Sequence, residues 1–273
     1  MRFVKGHGTE NDFVILPDVE GALELTAAAV AAICERRSGV GADGVLRVVR
    51  TKSCPEVADQ ASEAEWFMDY RNADGSVAEM CGNGLRVFAR YLVDAGLAAP
   101  GELRVATRAG LRGVSLGAVG EVTADMGRPE VLGAGRTEIA GEVLVGLRVS
   151  MGNPHLACVV DRPVGDFDLS RPPVVDEADF PSGANVELVA ARAEPRHLAM
   201  RVHERGSGET RSCGTGVVAA AVAVAHAAGE ETGTWFVTVP GGGLTVRLDG
   251  RTSYLTGPAV LVAEGELRPS VFG

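Results

Sequence analysis

Lysine is nearly absent from this sequence, with only Lys5 and Lys52 among 273 residues. Enzymes that use pyridoxal phosphate hold it through a lysine Schiff base, so few positions could serve that chemistry. Basic residues are also outnumbered, because 26 lysines and arginines face 36 aspartates and glutamates, for a net charge of -10. Binding to a phosphate backbone needs a basic face, so we expect no nucleic-acid partner.

Cysteines are few, odd in number and widely spaced, and none forms a Cys-x-x-Cys pair. The five positions are Cys34, Cys54, Cys81, Cys158 and Cys213. This pattern favours neither a disulfide framework nor a metal site, and reduced thiols fit a cytosolic protein. We therefore predict no metal.

Long apolar runs are missing as well. The longest, Val217 to Ala225, is too short to span a bilayer, and residues 1–7 lack the apolar region of a secretory signal. These absences predict a soluble, cytoplasmic protein with no membrane partner. At 46% hydrophobic residues the chain can nevertheless bury a large core, and its length fits two domains better than one.

The most informative stretch is Met80 to Leu92, which opens with Cys81-Gly82-Asn83-Gly84. Its apolar residues at 85, 88, 89 and 92 have the spacing of an amphipathic helix. The first-turn N–H groups of such a helix, left uncovered by glycine, favour an anion such as a carboxylate. The same field favours the thiolate form of a cysteine at the helix start.

The pattern recurs at Cys213-Gly214-Thr215-Gly216, which opens a helix of small apolar residues to Ala228 that should be largely buried. A polar loop containing glycine precedes each motif, at 72–76 and at 204–209. This arrangement predicts two diverged halves. We assign residues 1–127 to an N-terminal domain carrying Cys81, completed by a C-terminal strand within 259–273, and residues 128–258 to a domain carrying Cys213.

Thr26 is a suitable N-cap for a further helix to Arg37. Short runs with strand character dominate the rest of the chain, at 2–5, 12–16, 45–49, 65–70, 103–106, 111–116, 121–126, 143–149, 156–160, 185–190, 197–203, 235–239, 244–248, 253–255 and 260–262. The predicted class is therefore α+β, with two pseudo-symmetric domains, each a curved, mainly antiparallel sheet wrapped around a central helix.

Two helix starts directed at one substrate carboxylate would place thiols on both faces of the adjacent carbon. A thiolate removing the α-hydrogen from one face, with a thiol delivering a proton to the other, inverts that centre without a cofactor. The structural alternative is that both motifs are merely helix caps. Their recurrence in matching contexts favours a functional role.

These motifs, together with Met151-Gly152-Asn153-Pro154-His155 and Glu204-Arg205-Gly206, resemble those of the diaminopimelate epimerase family. The resemblance extends nearly end to end. It implies a pyridoxal-independent isomerase, usually a homodimer, that converts LL-diaminopimelate to meso-diaminopimelate for lysine and peptidoglycan synthesis.

The resemblance also implies individual roles. Cys81 would conventionally be the proton donor and Cys213 the acceptor, with His155 and Glu204 tuning the thiols. The remaining implied substrate contacts are Gly82, Asn83, Gly214 and Thr215 for the carboxylate, Glu204 for the reacting ammonium, Asn11 along the substrate, and Asn72, Asn153, Asn185 and Arg205 for the distal end. Gly44 departs from the pattern, since many relatives carry a substrate-contacting glutamine there.

Other classes fit less well. Gly214 to Ala219 formally matches a dinucleotide-binding pattern, but the polar segment before it is unlike the strand that a dehydrogenase needs there. A Cys/His hydrolase would need one nucleophile, not two equivalent thiols. A proline racemase or hydroxyproline dehydratase of the same fold remains the closer alternative. Such enzymes lack the contacts to the distal end of the substrate that Asn72, Asn153, Asn185 and Arg205 imply here.

Overall fold

The computed structural model describes residues 1–268. The chain forms two compact units, the first built from residues 1–124 and the chain from Pro258 onward, the second from Asp125–Gly257. Of the predicted segment 259–273, Val260–Glu266 form a strand, and residues 269–273 lie outside the described residues. Among residues 1–268, no helix has the length and apolar character needed to cross a membrane.

Within the described residues 1–268, three α-helices are interspersed among short strands. Up to the unit boundary they are Arg2–Gly8 (β1), Asn11–Pro17 (β2), Ala27–Cys34 (α1), Gly44–Arg50 (β3), Trp66–Asn72 (β4), Gly82–Asp94 (α2), Gly101–Ala106 (β5), Arg112–Leu116 (β6) and Val122–Gly127 (β7), with short 3-10 helices at Thr51–Ser53 and Pro55–Gln60. The chain passes from the first unit into the second within β7.

The following elements are Glu130–Ile139 (β8), Glu142–Ser150 (β9), Pro154–Val160 (β10), a 3-10 turn at Val164–Asp166, Val174–Val175 (β11), Asn185–Ala191 (β12), His197–Glu204 (β13), Gly208–Thr210 (β14), Gly214–Ala227 (α3), Thr232–Val239 (β15), Gly242–Asp249 (β16) and Ser253–Gly257 (β17), before Val260–Glu266 (β18) returns to the first unit. Most of these strands and all three helices were predicted, but β8, β11 and β14 were not.

Both units use the same order of strand pairing. In the first, β1–β2 are antiparallel, β2–β3 parallel, β3–β4 antiparallel, β4–β5 parallel and β5–β6 antiparallel. In the second, β9–β10, β10–β12, β12–β13, β13–β15 and β15–β16 repeat that order. Parallel neighbours need a crossover, and α2 and α3 lie within the β4–β5 and β13–β15 crossovers. The predicted pseudo-symmetric α+β fold is therefore confirmed.

The helix α2 is amphipathic in sequence yet buried on every side from Gly82 to Leu92. It contacts β1, β2, β3, β4, β6 and β18, because the strands of this unit curve around it. The buried Arg90 remains satisfied by donating to the carbonyls of Gly117, Ala118 and Gly120, at 2.8–3.0 Å. In the second unit α3 is buried through Ala223, as its small apolar residues predict.

The helix α1 begins where the sequence predicted but ends early. The Thr26 hydroxyl accepts the Ala29 N–H at 3.2 Å, the expected N-cap bond. The helix stops at Cys34 instead of Arg37, because the Glu35 carboxylate accepts the N–H groups of Arg37 and Ser38, both at 2.6 Å. Such local side-chain bonds compete with helical ones.

Shortening a buried side chain of α2 should destabilise the first unit. We expect Leu92→Ala to lower the free energy of unfolding by about 2–5 kcal/mol, because Leu92 is 0% exposed and its removal leaves a cavity. The matched control Val119→Ala should change it by less than about 0.5 kcal/mol, since Val119 is 86% exposed. Denaturant unfolding measures both, and equal losses in the two variants would contradict a core centred on α2.

Candidate active site

Cys81 is the N-cap residue of α2, with extended backbone at φ -140° and ψ 120°. Its Sγ accepts the Gly84 N–H at 3.4 Å and lies 3.7 Å from the Asn11 Oδ1. The Asn83 side-chain amide donates to the same Oδ1 at 3.2 Å. The first unit thus brings together Cys81, Asn11 and Asn83, all predicted from the sequence, at the start of a buried helix.

The position of Asn11 is set by a charged cluster that the sequence analysis missed. Asn11 Nδ2 donates to Asp43 at 2.8 Å, and Arg36 bridges Asp43 and Asp12 at 2.7 and 2.8 Å. Lys5 donates to Asp12 at 2.6 Å. Burial acts to raise the pKa of Asp12, but the hydrogen bonds from Arg36 and Lys5 outweigh it and lower that pKa to about 2. A close set of opposite charges therefore orients Asn11.

Asn72 lies at the end of β4 in a turn, where its Nδ2 donates to the Ser76 hydroxyl at 2.9 Å. It pairs in register with Gly44 of β3. A Cβ at residue 44 would lie 2.5 Å from the Arg71 carbonyl oxygen and 2.7 Å from the Tyr70 ring. In this chain a side chain at 44 therefore requires both neighbours to move.

Arg86 is a second residue that the sequence analysis missed. Its side chain is fully buried in α2, and its Nη2 lies 3.5 Å from the Thr9 hydroxyl. Burial lowers the pKa of Arg86 to about 10, while a thiolate at Cys81 would raise it. A cation therefore lies behind the helix start that carries Cys81.

Cys213 is the N-cap residue of α3 and is buried, with 6% exposure. Burial raises the pKa of this thiol well above its usual range, negative charge at Glu204 or Glu187 acts in the same direction, and a hydrogen bond with Thr215 only partly offsets this. Burial at Cys213 therefore opposes the thiolate form that a helix start favours.

Polar side chains continue from Cys213 into the interior of the second unit. The Cys213 Sγ lies 3.5 Å from the Thr215 hydroxyl, which accepts from the Asn153 amide at 3.4 Å. His155 Nε2 lies 3.1 Å from Asn153 Oδ1, and its Nδ1 lies 2.7 Å from Glu187 Oε1. All but Glu187 were predicted. Glu187 was missed because it lies inside an apolar strand segment without a recognisable motif.

The other predicted residues of the second unit gather around the β13–β14 turn. Asn185 Oδ1 accepts the Arg205 backbone N–H at 3.0 Å, so this side chain shapes the turn. Arg205 is exposed, and its guanidinium donates to the Ser182 carbonyl at 3.2 Å. Glu204 accepts from the Thr210 hydroxyl and acts electrostatically on both Cys213 and Glu187.

Across residues 1–268, no group of three or more histidine, cysteine, aspartate or glutamate side chains has the arrangement of a metal site.

The fold is shared with solved structures of other proteins. A phenazine biosynthesis protein of the PhzF family from Bacillus anthracis superimposes with a TM-score of 0.71 at 16% identity, covering 98% of this chain and 99% of the other. A hydroxyproline epimerase from Agrobacterium vitis superimposes with a TM-score of 0.67 at 14% identity, covering 97% and 91%. These identities show a common fold only.

Sequence comparison identifies the protein family, which the shared fold alone does not. The family model for diaminopimelate epimerase matches residues 3–132 and 147–262. A diaminopimelate epimerase from Thermobifida fusca is 59% identical over 274 residues, covering 99% of each chain. The chain therefore belongs to the diaminopimelate epimerase family.

Removing one neighbouring carboxylate should shift the titration of Cys213. We expect Glu204→Gln to lower the pKa of Cys213, because it removes a negative charge that disfavours the thiolate. The pKa should stay above the ordinary value of about 8.5, because burial is the larger cause. Thiolate ultraviolet absorbance, recorded against pH in a Cys81→Ser background, measures the midpoint. A midpoint unchanged or raised by Glu204→Gln would contradict this electrostatic assignment.

Proposed function

We propose that this protein interconverts LL- and meso-diaminopimelate, with Cys81 and Cys213 as the two acid/base groups. The observation that supports it best is the repeated Cys-Gly-x-Gly helix start, in a chain 59% identical to a diaminopimelate epimerase over nearly its full length. Inverting a carbon requires a proton to leave one face and another to arrive at the opposite face. Two thiols in equivalent positions, one in each unit, supply that pair of groups.

A buried thiol beside Glu204 holds its proton, which supports Cys213 as the proton donor in the substrate-free protein, the reverse of the role that the family resemblance implies. A substrate ammonium next to Glu204 would compensate its negative charge. That compensation makes the thiolate of Cys213 more accessible once substrate is bound, so the same residue serves as base in the reverse direction.

The helix starts bind the reacting carboxylate in this proposal. The first N–H groups of an α-helix have no partner within the helix, and they lie at the positive end of its dipole. At α2 these belong to Gly82 and Asn83, and at α3 to Gly214 and Thr215. The same donors stabilise the negative charge that develops when the α-hydrogen leaves.

The distal end of the substrate is assigned to Arg205, with Asn72, Asn153 and Asn185. The exposed guanidinium of Arg205 sits on a turn whose backbone is held by Asn185, so the two residues act as one element. Glu204 on the same turn meets the reacting ammonium. This grip separates diaminopimelate from proline and hydroxyproline, which have no distal amino acid end.

The proposal includes no pyridoxal phosphate. Support comes from the scarcity of lysine: Lys5 is engaged with Asp12, and Lys52 is exposed on a 3-10 turn. Family resemblance further supports a homodimer in the cytoplasm that acts on a small amino-acid substrate and contributes to lysine and peptidoglycan synthesis.

Deuterium labelling tests the reaction directly. With LL-diaminopimelate in deuterated water, we expect early product to carry deuterium at the inverted α-carbon while recovered substrate stays unlabelled. The reason is that the proton removed by one thiol is not the one delivered by the other. Product that retains the original hydrogen would indicate a single-base reaction, and the absence of turnover would contradict the proposed substrate.

Both cysteines should be indispensable. We expect Cys81→Ala and Cys213→Ala each to abolish epimerisation with the fold intact, and the serine variants to leave at most weak activity, because a hydroxyl is a much poorer base than a thiolate. The control Cys34→Ala should remain active, since this thiol packs in an apolar cluster of the first unit. Circular dichroism checks the fold, and near-native turnover by either alanine variant would rule out the two-thiol scheme.

Loss of the Arg205 side chain, which holds the distal end of the substrate in this proposal, should reduce activity without altering either thiol. We expect Arg205→Ala to lower kcat/KM for diaminopimelate by about 100-fold or more, since remote binding energy orients the reacting carbon. Arg205→Lys should recover only part of this loss, because it keeps the charge but not the planar fork. The control is Arg171→Ala, an exposed arginine of the same unit.

The contact of Arg205 with the distal end should also restrict the substrate range. Lysine and proline should therefore be turned over very poorly by the native protein. Efficient racemisation of either amino acid, or a native rate in Arg205→Ala, would move the assignment to a proline racemase or a related enzyme.

A further inference from the structure

A continuous series of hydrogen-bonding side chains links the Cys213 thiol to a carboxyl group inside the second unit. It runs from Cys213 through Thr215, Asn153 and His155 to Glu187, with successive separations of 3.5, 3.4, 3.1 and 2.7 Å. His155 and Glu187 are both fully buried. The far end of this series therefore has no contact with solvent.

The chemistry of the amide sets the direction of these bonds. Asn153 uses its Nδ2 to donate to the Thr215 hydroxyl, so its Oδ1 must accept from His155. The proton of a neutral His155 then sits on Nε2, which leaves a lone pair on Nδ1. Only a donor can satisfy that lone pair at 2.7 Å, and a protonated Glu187 carboxyl is such a donor.

The surroundings of Glu187 favour its protonated form. Burial raises the pKa of this carboxyl, and Glu204 on β13 adds to the effect, while His155 on β10 opposes it. A negative charge on Glu187 would also act on Cys158 of β10 and on Cys213 at the start of α3, which is a further cost of ionising this carboxyl. Glu187 Oε2 is buried without a hydrogen-bond partner within residues 1–268, which a carboxylic acid tolerates better than a carboxylate.

Glu187 also lies directly against the start of α3. A Cβ at Gly216 would be 2.6 Å from Glu187 Oε1, so the second glycine of the Cys-Gly-x-Gly motif leaves room for this carboxyl. The sequence analysis explained this glycine by exposed N–H groups alone. The structure gives it a steric role as well.

We propose that Glu187 is a positioning residue that fixes the tautomer of His155 and, through Asn153 and Thr215, the hydrogen bonding of Cys213. Because Asn153 occupies one lone pair of the Thr215 hydroxyl, the hydrogen of that hydroxyl is available to a thiolate and its other lone pair to a thiol. The arrangement thus serves Cys213 in both protonation states. This role deepens the proposed function and rests on it for its effect on catalysis.

The test compares Glu187→Gln, Glu187→Leu and the control Glu138→Gln, an exposed carboxyl-to-amide change in the same unit. Nitrogen NMR of histidine-labelled protein without substrate, assigned through a His155→Asn variant, shows which ring nitrogen carries the proton. We expect Nε2–H in the native protein. Glu187→Gln should keep it because the glutamine amide also donates to Nδ1, whereas Glu187→Leu should change it.

The kcat/KM values of the three variants should follow the same pattern as the His155 tautomer. We expect Glu187→Gln and Glu138→Gln to stay within about threefold of the native kcat/KM, and Glu187→Leu to lose about tenfold or more, the effect of one lost buried hydrogen bond. The glutamine rescue separates positioning from simple packing, because leucine fills the space but cannot donate. Thermal unfolding checks that each variant is folded.

A native His155 ring protonated on Nδ1, alone or together with Nε2, or a tautomer and kcat/KM unchanged by Glu187→Leu, would overturn the proposal. If the leucine variant does not fold, the native and glutamine spectra decide. The NMR measurement uses no substrate, so a native protein with the expected tautomer that fails to epimerise diaminopimelate would contradict the proposed function and not the positioning role.

Discussion

Burial of a helix start is the constraint on which the rest of each unit depends. A helix surrounded by strands has little water at its first turn, yet its first N–H groups still need acceptors. In both units the N-cap is a cysteine, whose sulfur is only a weak acceptor, and glycines keep the turn open. The first N–H groups at the positive end of a helix dipole favour an anion, which supports the proposal that the two helix starts bind a substrate carboxylate.

The same motif acquires different electrostatics in the two units. Cys81 is half-buried, near the amides of Asn11 and Asn83 and in the field of the buried cation Arg86. Cys213 is buried near Glu204, and both burial and this negative charge disfavour its thiolate. The proposed two-base reaction needs one protonated and one deprotonated group at the start of each turnover, and unequal surroundings support that difference.

The fold by itself does not decide the substrate. A hydroxyproline epimerase shares this architecture at 14% identity, so strand order and central helices are compatible with more than one amino acid. In the proposed function, discrimination depends on side chains such as Arg205, which the β13–β14 turn presents to solvent. That turn is held by Asn185, a buried side chain of a neighbouring strand.

The sequence by itself determined the central helices, both cysteine caps, most strands and the duplicated organisation, because apolar periodicity and glycine-bearing motifs are local signals. It did not indicate β14, since a three-residue polar strand exists only through pairing with β13. It also did not identify Glu187, Asp43 or Arg86, because each matters through a partner distant in the chain. Only the tertiary structure reveals that burial opposes the thiolate of Cys213: a helix start favours a thiolate locally, but desolvation arises only when the chain is folded.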